Sequence, residues 1–147
     1  MAVNRDFAGR AFPVSEPYEV SRVKISEFAT AIGDQNPLFH DRAAAHAAGH
    51  RDVIAPPTFA IVISVAGSGA ALADPGLGLN YAMVVHGEQR FSYTRPITAG
   101  DVVTAQVTIT DIRNAGRNVM ITTSTEIRTV AGEHVCTAMS TLVERGS

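Results

Sequence analysis

The stretch PTFAIVISVAGSGAALAD, residues 57–74, decides the fold. It opens on Pro57, a residue favoured at the first position of a helix, and then carries apolar or small side chains on every face as far as Asp74. A helix without a polar face must be wrapped by the rest of its fold. The segment from Thr58 to Ala73 is shorter than the roughly 20 residues a bilayer span needs. It also holds Ser64, Ser68, Gly67 and Gly69, so the prediction is a helix buried in protein rather than in lipid.

The wrapper is sought in the C-terminal half, where four long strand-like runs follow: Tyr81 to Pro96, Asp101 to Ile112, Asn118 to Thr129, and His134 to Val143. In DVVTAQVTITDI, Val103, Ala105, Val107 and Ile109 alternate with Thr104, Gln106, Thr108 and Thr110, the period of a half-buried strand. RNAGRN and VAGE between the later runs read as hairpin turns, which makes an antiparallel meander. Strands of this length suit a strongly curved sheet. The expected fold is α+β, a single hot-dog domain over 1–147, with a long curved antiparallel sheet around a central apolar helix. Upstream, SRVKISEFATAIGD predicts an amphipathic helix capped by Ser21 and stopped by Gly33, and Asp41 caps a short alanine-rich helix ended by Gly49. The run from Tyr81 to Ser92 is a candidate edge strand, open to a second copy or a related chain, so a dimer is expected.

Composition narrows the function. A charged fraction of 18% and a formal charge of −2 leave no footprint for nucleic acid or anionic membrane. The single cysteine, Cys136, excludes an internal disulfide and a cysteine zinc cluster, and its neighbours Val135 and Thr137 make it a quiet strand residue. The N-terminus lacks the apolar stretch of a secretory signal, which points to the cytoplasm. His46, His50 and His134 match no metal template, GSGAAL lacks the lysine of a phosphate loop, and no cofactor is expected.

Chemistry-bearing residues concentrate in GDQNPLFHDRAAAHAAGH, residues 33–50. Hydration of a double bond next to a thioester, or the reverse dehydration, needs one group to take a proton and another to deliver one, with donors for the charge developing on the thioester oxygen. Asp34 and His40, separated by the turn-forming Asn36-Pro37, are candidates for that pair. The same residues also suit a plain turn and a helix cap, and both readings stay open at this point.

GDQNPLFHD resembles the Gly-Asp-x-Asn-Pro-(Leu/Ile)-His-x-Asp motif of MaoC-like (R)-specific enoyl hydratases, in which the aspartate and histidine are catalytic. Here Phe39 stands at the histidine's place and His40 comes one position late. In the family, a glycine N–H at the start of the buried helix polarises the thioester carbonyl, whereas Ile54-Ala55 is followed here by Pro56-Pro57-Thr58, and proline has no N–H. PYEVSRVKISEFATAIGDQNP at 17–37, VIAPPTF at 53–59 and VHGEQRFSYTRPITAGD at 85–101 resemble the N-terminal-type domain of this family, over nearly all of residues 5–144. That branch includes the substrate-binding subunit of heterodimeric (3R)-hydroxyacyl-ACP dehydratases, whose partner supplies the aspartate–histidine pair.

The resemblance implies an acyl-binding half, paired with a catalytic MaoC-like chain, acting on acyl-ACP or acyl-CoA in fatty-acid or related lipid or polyketide metabolism. On the substrate side it points to Asn36, to Pro57 and Thr58 at the start of the central helix, whose free N–H groups from Thr58 onward face the thioester, and to His86, Gly87 and Gln89 on the first strand. RPITAGD is given a structural role. Two other readings stand beside this one: a self-sufficient homodimeric hydratase that uses Asp34 and His40, and a non-catalytic module that holds acyl thioesters.

Overall fold

The computed structural model describes residues 2–146. Its strands are β1 (Tyr18–Glu19), β2 (Val84–Tyr93), β3 (Val102–Ala115), β4 (Asn118–Thr129) and β5 (His134–Glu144), and its helices are α1 (Arg22–Ala31), α2 (Arg42–Ala47) and α3 (Ala60–Leu72). All strand pairs are antiparallel, in the spatial order β1-β3-β4-β5-β2, and the sheet curls around α3. This is the hot-dog arrangement of an α+β fold.

The alternation in β3 is what seats the helix. Val103, Ala105, Val107 and Ile109 are fully buried, while Gln106 on the opposite face is exposed. Ala115 pairs with Asn118 across Gly116-Arg117, and Gly116 takes the left-handed φ of 62° that this tight reversal requires. Against the inner face, α3 lies unusually close: a Cβ built on Gly67 would sit 2.6 Å from the Cβ of Ala105. Glycine on the helix and alanine on the strand set the depth at which α3 rests.

Several boundaries differ from the sequence reading. Pro57 does not begin α3. The Phe59 N–H donates to the Pro56 carbonyl at 2.9 Å and the Ile61 N–H to the Thr58 carbonyl at 3.1 Å, so a tight turn precedes the α ladder, which starts at Ala60. At the other end, the helix stops at Leu72, and the Asp74 carboxylate accepts the Gly76 N–H at 2.8 Å in the following turn. β2 starts only at Val84, because Asn80 caps a single 3₁₀ turn over Tyr81–Met83 by accepting the Ala82 N–H at 3.2 Å. In α1, Ile25 and Ala29 are buried but Val23 is 76% exposed, so its apolar face is narrower than the spacing suggested.

Nor does the sheet wrap α3 completely. Val65 is 58% exposed, with Thr58, Ala66 and Ala70 exposed beside it, leaving one apolar stripe uncovered next to the edge strand β2. The far end of α3 is closed by the N-terminal segment, to which the sequence reading gave no structural role: Phe7 and Phe12 pack with Ala71, Leu77, Ile109 and Ile121 in a second core cluster. Among the described residues, no helix is long and apolar enough to cross a membrane.

Because Ala105 sits on a central strand and cannot swing aside, Gly67→Ala is expected to destabilise the fold by about 1–2 kcal/mol, overpacking outweighing alanine's better helix propensity. Adding Ala105→Gly should make the pair less destabilised than the sum of the two single changes in a urea-unfolding double-mutant cycle. Simple additivity would contradict the close contact.

Candidate functional site

Residues 33–55 form a segment that lies over the start of α3, and short side chains bonded to nearby backbone shape it. Gly33, at φ 75°, ends α1. The Asp34 carboxylate accepts the Asn36 N–H at 3.0 Å, the Asn36 side chain accepts the Leu38 N–H at 3.0 Å, and the Asp41 carboxylate accepts the Ala43 N–H at 2.8 Å. Each is a side chain capping the residue two positions on. Between them, Phe39 is 5% exposed and belongs to the main core cluster with Ile25 and Phe59.

His40 is exposed, and both its ring nitrogens have partners. Nε2 is 3.0 Å from the Asp34 carbonyl, which can only accept, so Nε2 carries the proton. Nδ1 then accepts from the Ser26 hydroxyl at 2.9 Å. The chain thus brings Asp34 and His40 together through the aspartate's backbone carbonyl, while the carboxylate is turned to Asn36.

The start of α3 is also engaged. The Tyr93 hydroxyl donates to the Pro57 carbonyl at 2.5 Å. Burial is the main reason the phenol is held well above its usual pKa, so Tyr93 stays protonated. The expectation of free N–H groups from Thr58 onward is corrected here: the Phe59 N–H goes to the Pro56 carbonyl and the Ile61 N–H to the Thr58 carbonyl, beside the Pro57 carbonyl that is held by Tyr93. The sequence reading missed this residue, although its inward parity on β2 was an available signal.

Two cavities flank the helix. One, of about 350 Å³, opens between α3 and the inner faces of β2, β4 and β5, and His86 and Gln89 line it. The other, of about 290 Å³, lies at the start of α3, with Asn36, Phe39, Pro57, Tyr93 and Arg95 in its wall. Thr58 is exposed and lines neither cavity, nor do Asp34 and His40.

Gly87 sits where the register of β2 against β5 shifts, between His86 and Glu88. A Cβ there would meet the Val143 side chain at 3.2 Å and the Thr141 carbonyl at 3.3 Å, so the bulge is tightest without a side chain. The bulge changes which residues face inward. Val84 and His86 line the helix side before it and Gln89 after it, while Glu88 and Arg90 face the outer surface. His86 Nε2 lies 3.0 Å from the Glu88 carbonyl and 3.3 Å from the Ser140 hydroxyl.

Two buried carboxylates hold the surrounding loops. Asp52 receives the Arg22 guanidinium at 2.8–3.1 Å and the Val53 N–H at 2.7 Å, with Arg42 at 3.7 Å. The Arg22 hydrogen bonds, working against desolvation, lower its pKa to about 2. Asp101 binds Arg95 and Arg51 and accepts the Thr98 N–H at 2.8 Å, which gives RPITAGD a structural part. Cys136 on β5 is buried, and desolvation pushes its thiol up to about 11.

A family model described as "FAS1-like, dehydratase domain region" matches residues 6–138. The chain belongs to the MaoC-like hot-dog dehydratase family. Among its relatives are UPF0336 proteins from Thermobifida fusca, 59% identical over 99% of this chain and 96% of the relative, and from Streptomyces coelicolor, 48% identical over 100% and 98%. Among solved structures, a MaoC-like dehydratase superposes with a TM-score of 0.87 at 31% identity over 95% of this chain, which spans only 42% of that protein's length. A HadBC (3R-hydroxyacyl-ACP dehydratase) complex from Mycobacterium tuberculosis gives a TM-score of 0.81 at 25% identity, covering 94% of this chain and 97% of that one. The (R)-hydratase of A. caviae, at 24% identity and a TM-score of 0.67 over 92% and 94%, shares the fold.

Since the folded pKa of Asp52 lies below its ordinary 3.8, its ion pair stabilises the family fold fully above about pH 4 and is lost as pH falls towards 2. Urea unfolding between pH 2.5 and 6 should show an acid limb worth about 1–2 kcal/mol, allowing for the half-exposed Arg22, that Asp52→Asn removes. An unchanged acid limb in that variant would refute the assignment.

Proposed function

We propose that this chain is the acyl-binding half of a (3R)-hydroxyacyl-thioester dehydratase or enoyl hydratase, working with a catalytic MaoC-like hot-dog chain on acyl-ACP or acyl-CoA in the cytoplasm. The observation that carries this reading is the bonding within residues 34–40. Phe39 is buried where the family motif has its histidine, the His40 ring is held by the Asp34 carbonyl and Ser26, and the Asp34 carboxylate caps Asn36. A general base needs a free lone pair within reach of substrate, and here the Nδ1 lone pair already receives the Ser26 proton.

The start of α3 supports the same reading. Position 57 has no N–H to offer a developing oxyanion, and the Phe59 N–H is taken by the Pro56 carbonyl. A missing oxyanion donor typically costs about 10²–10³ in rate. The larger cavity remains open beside α3 for an acyl chain, and the uncovered Val65 stripe, with Tyr81 at 55% and Val85 at 43% exposure near the β2 edge, favours a second hot-dog chain against this side. A substrate bound between the two halves would take its proton transfers from the partner and its chain-binding surface from this one.

Hydration of crotonyl-CoA and longer 2-enoyl-CoAs tests the proposal, with the purified chain alone and co-purified with a MaoC-like chain encoded in the same genome. Turnover is expected only in the pair, and within about twofold unchanged by His40→Ala, a change at a surface position outside both cavities. Turnover by the chain alone that disappears in His40→Ala or Asp34→Asn would establish the self-sufficient hydratase instead. Thioester binding without turnover by any pairing would leave a binding module.

A further inference from the structure

The cavity of about 350 Å³ beside α3 is a groove as long as the helix itself. Its helix wall is Ile61, Ser64, Val65, Ser68, Gly69 and Leu72, one face at three- and four-residue spacing. From first to last this face spans about 16 Å, at 1.5 Å per residue. The groove is predominantly apolar. Ser64 returns its hydroxyl to the Ile61 carbonyl at 3.4 Å, Ser68 to the Val65 carbonyl at 3.3 Å, and Ser140 lies 3.3 Å from His86 Nε2, so these hydroxyls have partners within the protein. Such a wall suits a bare hydrocarbon chain.

A third cavity, of about 400 Å³, lies beyond the end of α3 and is formed by residues 72–75 and 78–81. It shares Leu72 and Tyr81 with the groove, whereas the cavity at the start of α3 shares no wall residue with it. These two side chains mark where the groove ends and the next space begins. Tyr81 stands on an anchored backbone. The Asn80 N–H donates to the Glu144 carboxylate at 2.7 Å, the Met83 N–H returns to the Asn80 carbonyl at 3.0 Å, and the Arg145 N–H donates to the Met83 carbonyl at 2.9 Å, which ties the 3₁₀ turn to the end of β5. Leu72 is the last residue of α3. Tyr81 carries the larger side chain and is exposed, so it is the part of this boundary that a substitution removes without emptying the core.

An extended chain advances about 1.2 Å per bond, as a peptide does in covering roughly 3.5 Å in three bonds. A groove of about 16 Å therefore holds a straight chain of about a dozen carbons. We propose that Tyr81, backed by Leu72, ends the acyl groove and sets the longest hydrocarbon chain that it takes, so that the substrates are medium-chain acyl thioesters. This rests on the acyl-binding reading above, with the thioester at the start of α3, and names its chain length. Each methylene laid along the groove exchanges water for apolar wall and adds up to about fourfold in affinity. A methylene that would have to pass Tyr81 adds nothing.

The test measures binding of saturated acyl-CoAs with even chains from 4 to 16 carbons, by calorimetry, to the purified protein and to its co-purified pair. Affinity is expected to rise about two- to fourfold per methylene up to about twelve carbons, and then to stay level or fall. Tyr81→Ala should move that break to longer chains by at least two carbons, and Tyr81→Trp should move it to shorter ones. Tyr81→Phe should leave it in place, since bulk rather than the hydroxyl sets it. A rise that continues unbroken to 16 carbons overturns the proposal, as does a break that neither Tyr81→Ala nor Tyr81→Trp moves. If Tyr81→Ala no longer pairs, the Tyr81→Trp break decides: a shortened one upholds the proposal, and an unmoved one overturns it and assigns Tyr81 to the subunit interface. An unmoved break or an unbroken rise would leave the acyl-binding reading standing. Binding indifferent to chain length, or none at all, would end both.

Discussion

Everything in this chain depends on how close α3 can lie to the sheet. The approach of Gly67 to Ala105 seats the helix on β3, and with it the positions of both cavities. From there the strands curve away towards β5 and β2, so the gap widens from a dry contact at β3 to an open groove at β2. The site is this gradient of separation. A bulkier residue at position 67 would lift the helix from the end that must be tight and leave less definition at the end that must be open.

The elements that fix the fold were readable because each carried a strong local pattern. An apolar segment with no polar face, the alternation of Val103 to Ile109, and the caps at Ser21 and Asp41 all reappear as α3, β3, α1 and α2. The N-terminal cluster escaped because Phe7 and Phe12 are isolated aromatics in an irregular segment, where no period announces burial. The start of α3 escaped for a different reason: proline at 57 satisfies the local preference for a first helical position, but a turn closed on the Pro56 carbonyl precedes the helix, and the Pro57 carbonyl is held by Tyr93, 36 residues away.

The site was less legible than the fold. Residue types flagged Asp34 and His40, but spacing alone does not say which atom of an aspartate meets an imidazole, and here it is the carbonyl. His86 and Gln89 were legible as residues of the strand that becomes β2, yet their shared inward orientation violates simple alternation and follows only from the register shift. The segment over α3 shows the same economy of means throughout: small polar side chains, each answering a nearby backbone donor, hold a loop rigid without a sheet or a long helix.

The bulge at Gly87 has a consequence for how kindred chains are compared. Orientation on a strand is a matter of odd and even counts, and one extra residue reverses the count for everything downstream. A chain with the same VHGEQRF letters that paired with β5 without the bulge would turn Glu88 and Arg90 towards the helix and present a charged lining from the same alphabet. Register against β5, rather than percentage likeness, is therefore the quantity that separates one chamber chemistry from another in this stretch.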